Sequence, residues 1–305
     1  MAGKQVTELD ALPSFTDNSL LPVHNGTGLK KGLLSQLANY LGKKFSNPNL
    51  LINPDFKINQ RGATSYTSAV AQTIKNVYSV DRWYLYGHSL TVNSDKSVTI
   101  TPTTYSNGAL IQQLETPVDG DITVQVYAVG VSGTATVSVG PSDGSSTTEI
   151  GTLNNGLNTF TFSKGIKRLV IRAKSGTLTL KYAKVEQGTV ATSFVAPNPA
   201  EELEKCLRFS RYIPSIYCVP LRRYIGDISN ARAYYLPLGC VFETKLRVKG
   251  TITLKGGAFD STGSNIGSVA EIDYSTDEIR TVKMSQEMTP WTIILKQVFI
   301  DAEIY

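Results

Sequence analysis

Between Tyr66 and Pro197 hydrophobic and polar residues alternate in short runs, the period of a strand with one buried and one wet face. Ser97–Thr101, Asp121–Tyr127 and Thr134–Val139 alternate strictly, and Thr159–Phe162, Arg168–Arg172, Leu178–Tyr182 and Lys184–Glu186 continue the series. Turn-forming residues punctuate it at Asp119-Gly120, Asp143-Gly144, Asn154-Asn155-Gly156 and Lys174-Ser175-Gly176. Short strands with turns about every ten residues, and no helical period between them, predict an antiparallel β-sandwich. A jelly roll of about eight strands fits best.

The flanks read differently. Leu20–His24 and Leu29–Gly32 enclose Asn25-Gly26-Thr27-Gly28, residues that tolerate positive φ, so a hairpin is expected. Leu33, Leu34, Leu37, Tyr40 and Leu41 recur at helical spacing, ended by Gly42. Such a helix has one apolar stripe, to be covered either by a partner chain or by its own domain. Leu50–Ile52 reads as a brief strand before the turn Asn53-Pro54-Asp55. After Pro197-Asn198-Pro199, Ala200–Phe209 reads as a helix with acids in its first turns and bases at its end, which complements the helix dipole. Leu203, Cys206, Leu207 and Ser210 share one of its faces. Beyond Pro214 strands are expected at Ser215–Leu221, Ala233–Leu238, Lys245–Leu254, Glu278–Met284 and Trp291–Ile300. The expected architecture is mainly β. An N-terminal hairpin-helix anchor spans 1–45, a central jelly-roll β-sandwich 46–197, a helical linker 198–213, and a C-terminal antiparallel β tip domain 214–305.

Composition narrows the function classes. Hydrophobic residues make up 41% of the chain, enough for real cores, while charged residues are only 18%. The net charge of +5 is spread over 305 residues with no basic block longer than a pair, which argues against nucleic acid as partner. No apolar run approaches the roughly 20 residues of a membrane span, and no export leader is visible, so a soluble chain without membrane insertion is expected. Cys206, Cys218 and Cys240 have no metal-ligand spacing and are odd in number, which favours free thiols in a reducing cytoplasm over a disulfide framework.

Catalytic chemistry finds little support. The two histidines, His24 and His88, are distant from each other, and no HExxH, nucleophile elbow or phosphate-binding loop occurs. Neither a metal nor a cofactor is expected, and the chain is not expected to be an enzyme. The densest aromatic stretch is Asp81-Arg82-Trp83-Tyr84-Leu85-Tyr86. One reading is structural, with Trp83 in the core and Asp81 and Arg82 paired at a strand end. The other uses aromatic rings to stack on sugar C–H faces while neighbouring polar groups take hydroxyls. Strand alternation puts Trp83 and Leu85 on one face, and Tyr84 and Tyr86 on the other. If Trp83 is core, Tyr84 and Tyr86 face outward (or toward a partner subunit) as carbohydrate-binding candidates, joined by Tyr105, Asn107 and Gln112 in or near the next loop.

Several stretches occur in a telling order: Asn49–Phe56 with Asn59-Gln60-Arg61-Gly62, then Asp81-Arg82-Trp83, then Val185–Phe194, then Glu201–Phe209, and a terminal Ile300–Tyr305. The order resembles bacteriophage and prophage tail-fibre proteins, in which a carbohydrate-binding-module-like jelly roll precedes a short helix and a C-terminal β tip. Asp17–Val23 resembles the attachment segment of phage tail or collar appendages. The resemblance implies a virion protein, made in the host cytoplasm, that works as a homotrimer. It contacts other virion proteins through residues 1–45 and binds host-surface polysaccharide as a receptor-binding protein. The alternative is a purely structural collar, neck or baseplate fibre without a ligand. Lys245–Thr251 departs from the signature that family members carry after the helix, and the shared words themselves look structural.

Overall fold

The computed structural model describes residues 20–24, 29–33, 47–68, 77–103, 108–144, 146–218, 224–226, 233–241, 251–254, 258–260, 265–267, 269–274, 278–284 and 293–301. The N-terminal hairpin is present: β1 (Leu20–His24) pairs antiparallel with β2 (Leu29–Leu33), His24 opposite Leu29. Leu33, which the helical spacing includes, ends β2; the remainder of that expected helix lies outside the described residues.

The sandwich uses twelve strands in two antiparallel sheets. In chain order these are β3 (Ser65–Thr67), β4 (Val77–Tyr78), β5 (Tyr84–Tyr86), β6 (His88–Val92), β7 (Val98–Pro102) and β8 (Ala109–Val118). Then follow β9 (Ile122–Ser132), β10 (Ala135–Gly140), β11 (Thr148–Thr152), β12 (Gly156–Phe162), β13 (Ile166–Ala173) and β14 (Thr177–Gln187). One sheet runs β11-β10-β13-β8-β5-β4 and the other β12-β9-β14-β7-β6-β3. Within them β7 to β14 are distributed as 7-14-9-12 and 8-13-10-11, the double Greek key of a jelly roll.

Alternation decides which side chains meet between the sheets. Leu110, Leu169, Ile171, Val137 and Val139 come inward from the first sheet, and Ile100, Val124, Val126, Leu178, Leu180 and Val185 from the second. The run read as two strands, Leu178–Tyr182 and Lys184–Glu186, is the single strand β14. A bulge between Leu180 and Tyr182 shifts its register and resets its alternation. Two strands carry no simple alternation in the sequence, β8 and β11. In β8 the inward position between Leu110 and Leu114 is held by Gln112, which is buried.

The segment before β3 closes one end of the sandwich without forming a strand. Leu50–Ile52, expected as a strand, is a bend whose amides are taken up singly. Leu50 N–H donates to Val185 O, Leu51 N–H to Asn49 Oδ1, and Ile52 N–H to Gln112 Oε1. Gln112 Nε2 returns a bond to Ile52 O at 2.7 Å. Asn53, with φ of 55°, binds Ile58 O and Asp81 O through its side-chain amide, and its own carbonyl accepts from Trp83 Nε1 at 2.8 Å.

Helix α1 (Pro199–Leu207) starts as expected: Asn198 caps it by accepting from Ala200 N–H, proline opens its first turn, and Glu201 and Glu202 follow. Its buried side agrees with the face read from the sequence at Cys206 and departs from it at Leu203. Leu203 is exposed, whereas Glu202 and Cys206 are buried. Glu202 takes the inward place because its Oε1 accepts from Asn53 N–H at 2.5 Å, tying the helix to the sandwich end. Cys206 is buried. Strand β15 (Ser210–Cys218) leaves the helix directly and is linked back by Gln60, which donates to Ser210 O and accepts from Tyr212 N–H.

The C-terminal part is antiparallel β, as expected, with more strands than the pattern revealed. These are β16 (Tyr224–Gly226), β17 (Ala233–Val241), β18 (Thr251–Leu254), β19 (Ala258–Asp260), β20 (Asn265–Gly267), β21 (Val269–Tyr274), β22 (Glu278–Met284) and β23 (Ile293–Asp301). One sheet runs β15-β23-β19-β20, with β18 also on β23, and another β16-β17-β22-β21.

Candidate functional site

The outer face of the sheet β11-β10-β13-β8-β5-β4 carries the candidate site. Pairing registers align one residue from every strand into a row: Tyr78, Tyr84, Ile111, Val170, Ser138 and Glu149. Five inter-strand steps of about 4.8 Å give the row a length of roughly 24 Å. Core residues stand next to members of the row, as alternation requires: Leu85 beside Tyr84, Leu110 beside Ile111, Leu169 beside Val170, Val137 beside Ser138; Tyr78, Tyr84, Val170 and Ser138 are themselves buried. Flanking positions on this face add Tyr86, Gln113, Arg168, Arg172 and Thr136.

Local contacts fix these side chains. Tyr78 and Tyr84 pack with centroids 5.5 Å apart at 58°, and the Arg61 guanidinium lies 5.3 Å from the Tyr78 centroid. Arg168 lies across Gly140 on the neighbouring strand; a Cβ there would stand 2.6 Å from Arg168 Cγ, so glycine makes room for the side chain. Its Nη2 donates to Thr147 Oγ1 at 2.8 Å. Arg172 Nη1 donates to Ser138 Oγ at 2.8 Å. Lys174 and Glu149 form an ion pair at 2.8 Å at the β11 edge. That lysine, above all by its hydrogen bond, holds the Glu149 carboxyl below its ordinary pKa. Burial raises the Tyr84 phenol, opposed by the charge of Arg168. Burial also lowers the Arg172 guanidinium, a shift that Glu149 opposes and Arg168 reinforces.

The sequence candidates separate under this geometry. Trp83 is fully buried, packed on Phe56 at 5.1 Å. Tyr84 and Tyr86 do lie on the face opposite to Trp83 and Leu85. Only Tyr86 is partly exposed; Tyr84, expected to be open, is 5% exposed beneath its neighbours. Gln112, expected in or near a loop, lies within strand β8, points inward and is bonded through both side-chain atoms to the Ile52 backbone, which removes it from any surface. Tyr105 and Asn107 lie outside the described residues. Asp81 and Arg82 are both buried within the framework. Asp81 accepts from Gln60 N–H and side-chain amide, with Arg61 at 3.7 Å. Arg82 donates to Gln113 O and covers the Phe209 ring at 3.7 Å. Sequence reasoning missed Arg168, Arg172, Gln113, Ser138 and Glu149. The strand run at Arg168–Arg172 was visible, with its charges at i and i+4, but their shared face with Tyr86 needs the β13–β8–β5 register.

The outer face of the second sheet is built differently. Tyr127, Tyr182 and Phe194 stack in sequence at 5.3 and 4.0 Å, so the rings cover one another. Beside them Thr192 and its neighbours lie on the sheet: Lys184 donates to Thr192 and Ser193, Thr192 donates to Glu186, and Gln125 donates to Thr192 O. A pocket of about 370 Å³ between this region and α1 is lined by Asn47, Pro48, Lys184, Phe194, Val195 and Lys205 among others. Its lysines are matched internally, Lys184 by Glu186 and Lys205 by Glu202. Among the described residues no group of three His, Cys, Asp or Glu side chains converges as for a metal ion, and no helix is long and apolar enough to cross a membrane.

No family model matches the chain, and no curated protein matches it. Among solved structures it is similar to carbohydrate binding modules of family 29. One such module is 18% identical, with a TM-score of 0.30, covering 40% of this chain and 90% of that one. A mutant module complexed with mannohexaose is 15% identical with a TM-score of 0.31, covering 50% and 100%. A further mutant gives 15%, 0.31, 50% and 99%. Likeness at this level decides neither fold nor ligand; the jelly roll rests on strand order and the site on its own side chains.

Proposed function

We propose that the protein binds a glycan along the outer face of the β11-β10-β13-β8-β5-β4 sheet, without catalysis, as a receptor-binding appendage of a phage particle. The observation that carries the binding is the partly exposed group Tyr86, Gln113, Arg168 and Arg172 around Ile111, set beside a register-aligned row in which Tyr78, Tyr84, Val170 and Ser138 are buried. The partly exposed members combine one aromatic ring with an amide and two guanidiniums, a mixture that suits a polyhydroxylated ligand. The partly exposed Tyr86 ring is the stacking group, and the flanking guanidiniums and amide take hydroxyls.

The phage assignment rests on the order of sequence words from Asn49 to Tyr305 and on Asp17–Val23. In that reading residues 1–45 attach to other virion proteins, 46–197 carry the glycan and 214–305 form the tip. A homotrimer raises the avidity of individually weak sites through effective concentration. The second reading, a structural virion piece without a ligand, is favoured by one observation: Tyr84 at 5% exposure offers no ring face.

Glycan-array binding by the whole protein, together with particle assembly by a chain truncated before Phe45, tests the choice. Binding to glycans supports the receptor role. Absence of binding to glycans and host cells, with assembly lost on truncation, supports the structural one.

A further inference from the structure

Arg168 and Arg172 leave the same face of β13 with Val170 between them, roughly 13 Å apart along the extended strand. Both are partly buried. Taking a guanidinium out of water is unfavourable, and proteins ordinarily offset this with a carboxylate. This chain does so elsewhere: Arg61 faces Asp81, Lys184 faces Glu186, and Arg208 faces Glu115. On the candidate face it does not. Among the described residues Arg168 and Arg172 each have a single hydroxyl as hydrogen-bond partner, Thr147 and Ser138, and neither forms an ion pair. Glu149, whose charge reaches Arg172 without an ion-pair contact, is in contact with Lys174. A guanidinium offers five N–H donors in a planar fork that matches a carboxylate or phosphate.

We propose that the glycan bound on this face is anionic, and that Arg168 and Arg172 receive its carboxylate or phosphate groups. The inference rests on the glycan-binding reading above and specifies its ligand class. Because the two guanidiniums are too far apart for one monosaccharide, a polymer carrying repeated acid groups binds far better than its monomer.

The test is affinity electrophoresis of the full chain in gels containing alginate, polygalacturonate, polysialic acid or teichoic acid. Carboxyl-reduced alginate and polygalacturonate, and neutral mannan and dextran, are run beside them. The expected result is retention by at least one acidic polymer, loss of retention on carboxyl reduction where a uronate is the ligand, and weakening with added salt. Arg168→Gln and Arg172→Gln each lower that affinity roughly tenfold or more while the melting temperature holds. Arg172→Lys keeps part of it, and Lys181→Gln, on the other sheet, changes nothing. If neutral or carboxyl-reduced glycans bind as tightly as acidic ones and the arginine variants are silent, the ligand class is overturned and glycan binding stands. If no glycan of either class is retained, both fall.

Discussion

Arg82 reaches out of the sandwich to cover the ring of Phe209, its guanidinium carbon 3.7 Å from the ring centroid. The backbone at Arg82 has φ of 71°, a region that favours glycine, inside the turn closed by Trp83 N–H and Val80 O. The side chain's hold on Phe209 and on Gln113 O explains why an arginine occupies a strained position. Arg82 thus joins the jelly roll to the short link between α1 and β15. Gln60, which bonds Asp81 and Ser210 together, and Glu202, which bonds Asn53, lie in the same junction. The stretches Asn49–Phe56, Asn59–Gly62, Asp81–Trp83 and Glu201–Phe209 are therefore parts of one structural knot.

Arg82 and Phe209 are expected to couple energetically. In a double-mutant cycle of Arg82→Ala and Phe209→Leu, thermal or denaturant unfolding yields a favourable interaction of about 0.5–2 kcal/mol. Additive effects within error show that the contact contributes nothing.

The aromatic stretch divides by burial. Trp83→Ala loses roughly 3–5 kcal/mol of stability and Tyr84→Ala about 3 kcal/mol, since both side chains are enclosed. Tyr86→Ala leaves melting nearly unchanged and weakens glycan binding. A Tyr84→Ala protein that melts like the parent shows that Tyr84 is open.

Gln112 is a structural acceptor and donor. Gln112→Leu strands the N–H and C=O of Ile52 and lowers stability by roughly 2–4 kcal/mol in denaturant titration. An unchanged midpoint with altered glycan binding returns it to the site.

Lys184 and Glu186 lie 3.1 Å apart, both essentially buried, with Thr192 completing the cluster. Replacing one alone, Lys184→Met or Glu186→Leu, costs about 3–5 kcal/mol because the other charge stays buried. The double replacement costs less than either. A double variant no more stable than the single ones contradicts that origin.

His88 sets an acid limb of stability. Burial lowers its pKa below the ordinary value of about 6.5, against the raising effect of the Gly87 and Ala173 carbonyls. A base with a depressed folded pKa binds fewer protons folded than unfolded. Its contribution is therefore whole above about pH 6.5 and is lost as the pH falls from there toward the folded pKa. The slope of melting temperature against pH below 6.5 flattens in His88→Gln; an unchanged slope assigns the acid limb to other groups.

Much of the fold was legible because it is locally encoded. The turn residues between Leu20–His24 and Leu29–Leu33 pointed to a hairpin, strict alternation placed β7 and β10 within a residue of their limits and the first part of β9, and β22 was read at its observed bounds. What failed did so where a polar residue has an inward task. Gln112 hides the period of β8, and Glu202 displaces Leu203 from the buried face of α1. The site was half legible. Alternation placed Tyr84 and Tyr86 on the outer face, but the depth of Tyr84 and the company of Arg168, Arg172, Ser138 and Glu149 depend on pairing strands distant in sequence, which no local period carries.

The central claim is that ligand lies on the outer face of the β11-β10-β13-β8-β5-β4 sheet. The most direct measurement is side-chain NMR shift mapping during titration with a glycan that the protein retains. The account predicts shifts at the Tyr86 ring and the Arg168 and Arg172 guanidiniums, with Tyr127, Tyr182 and Phe194 unmoved. Shifts centred on Tyr127, Tyr182 and Phe194, with the two arginines silent, contradict it.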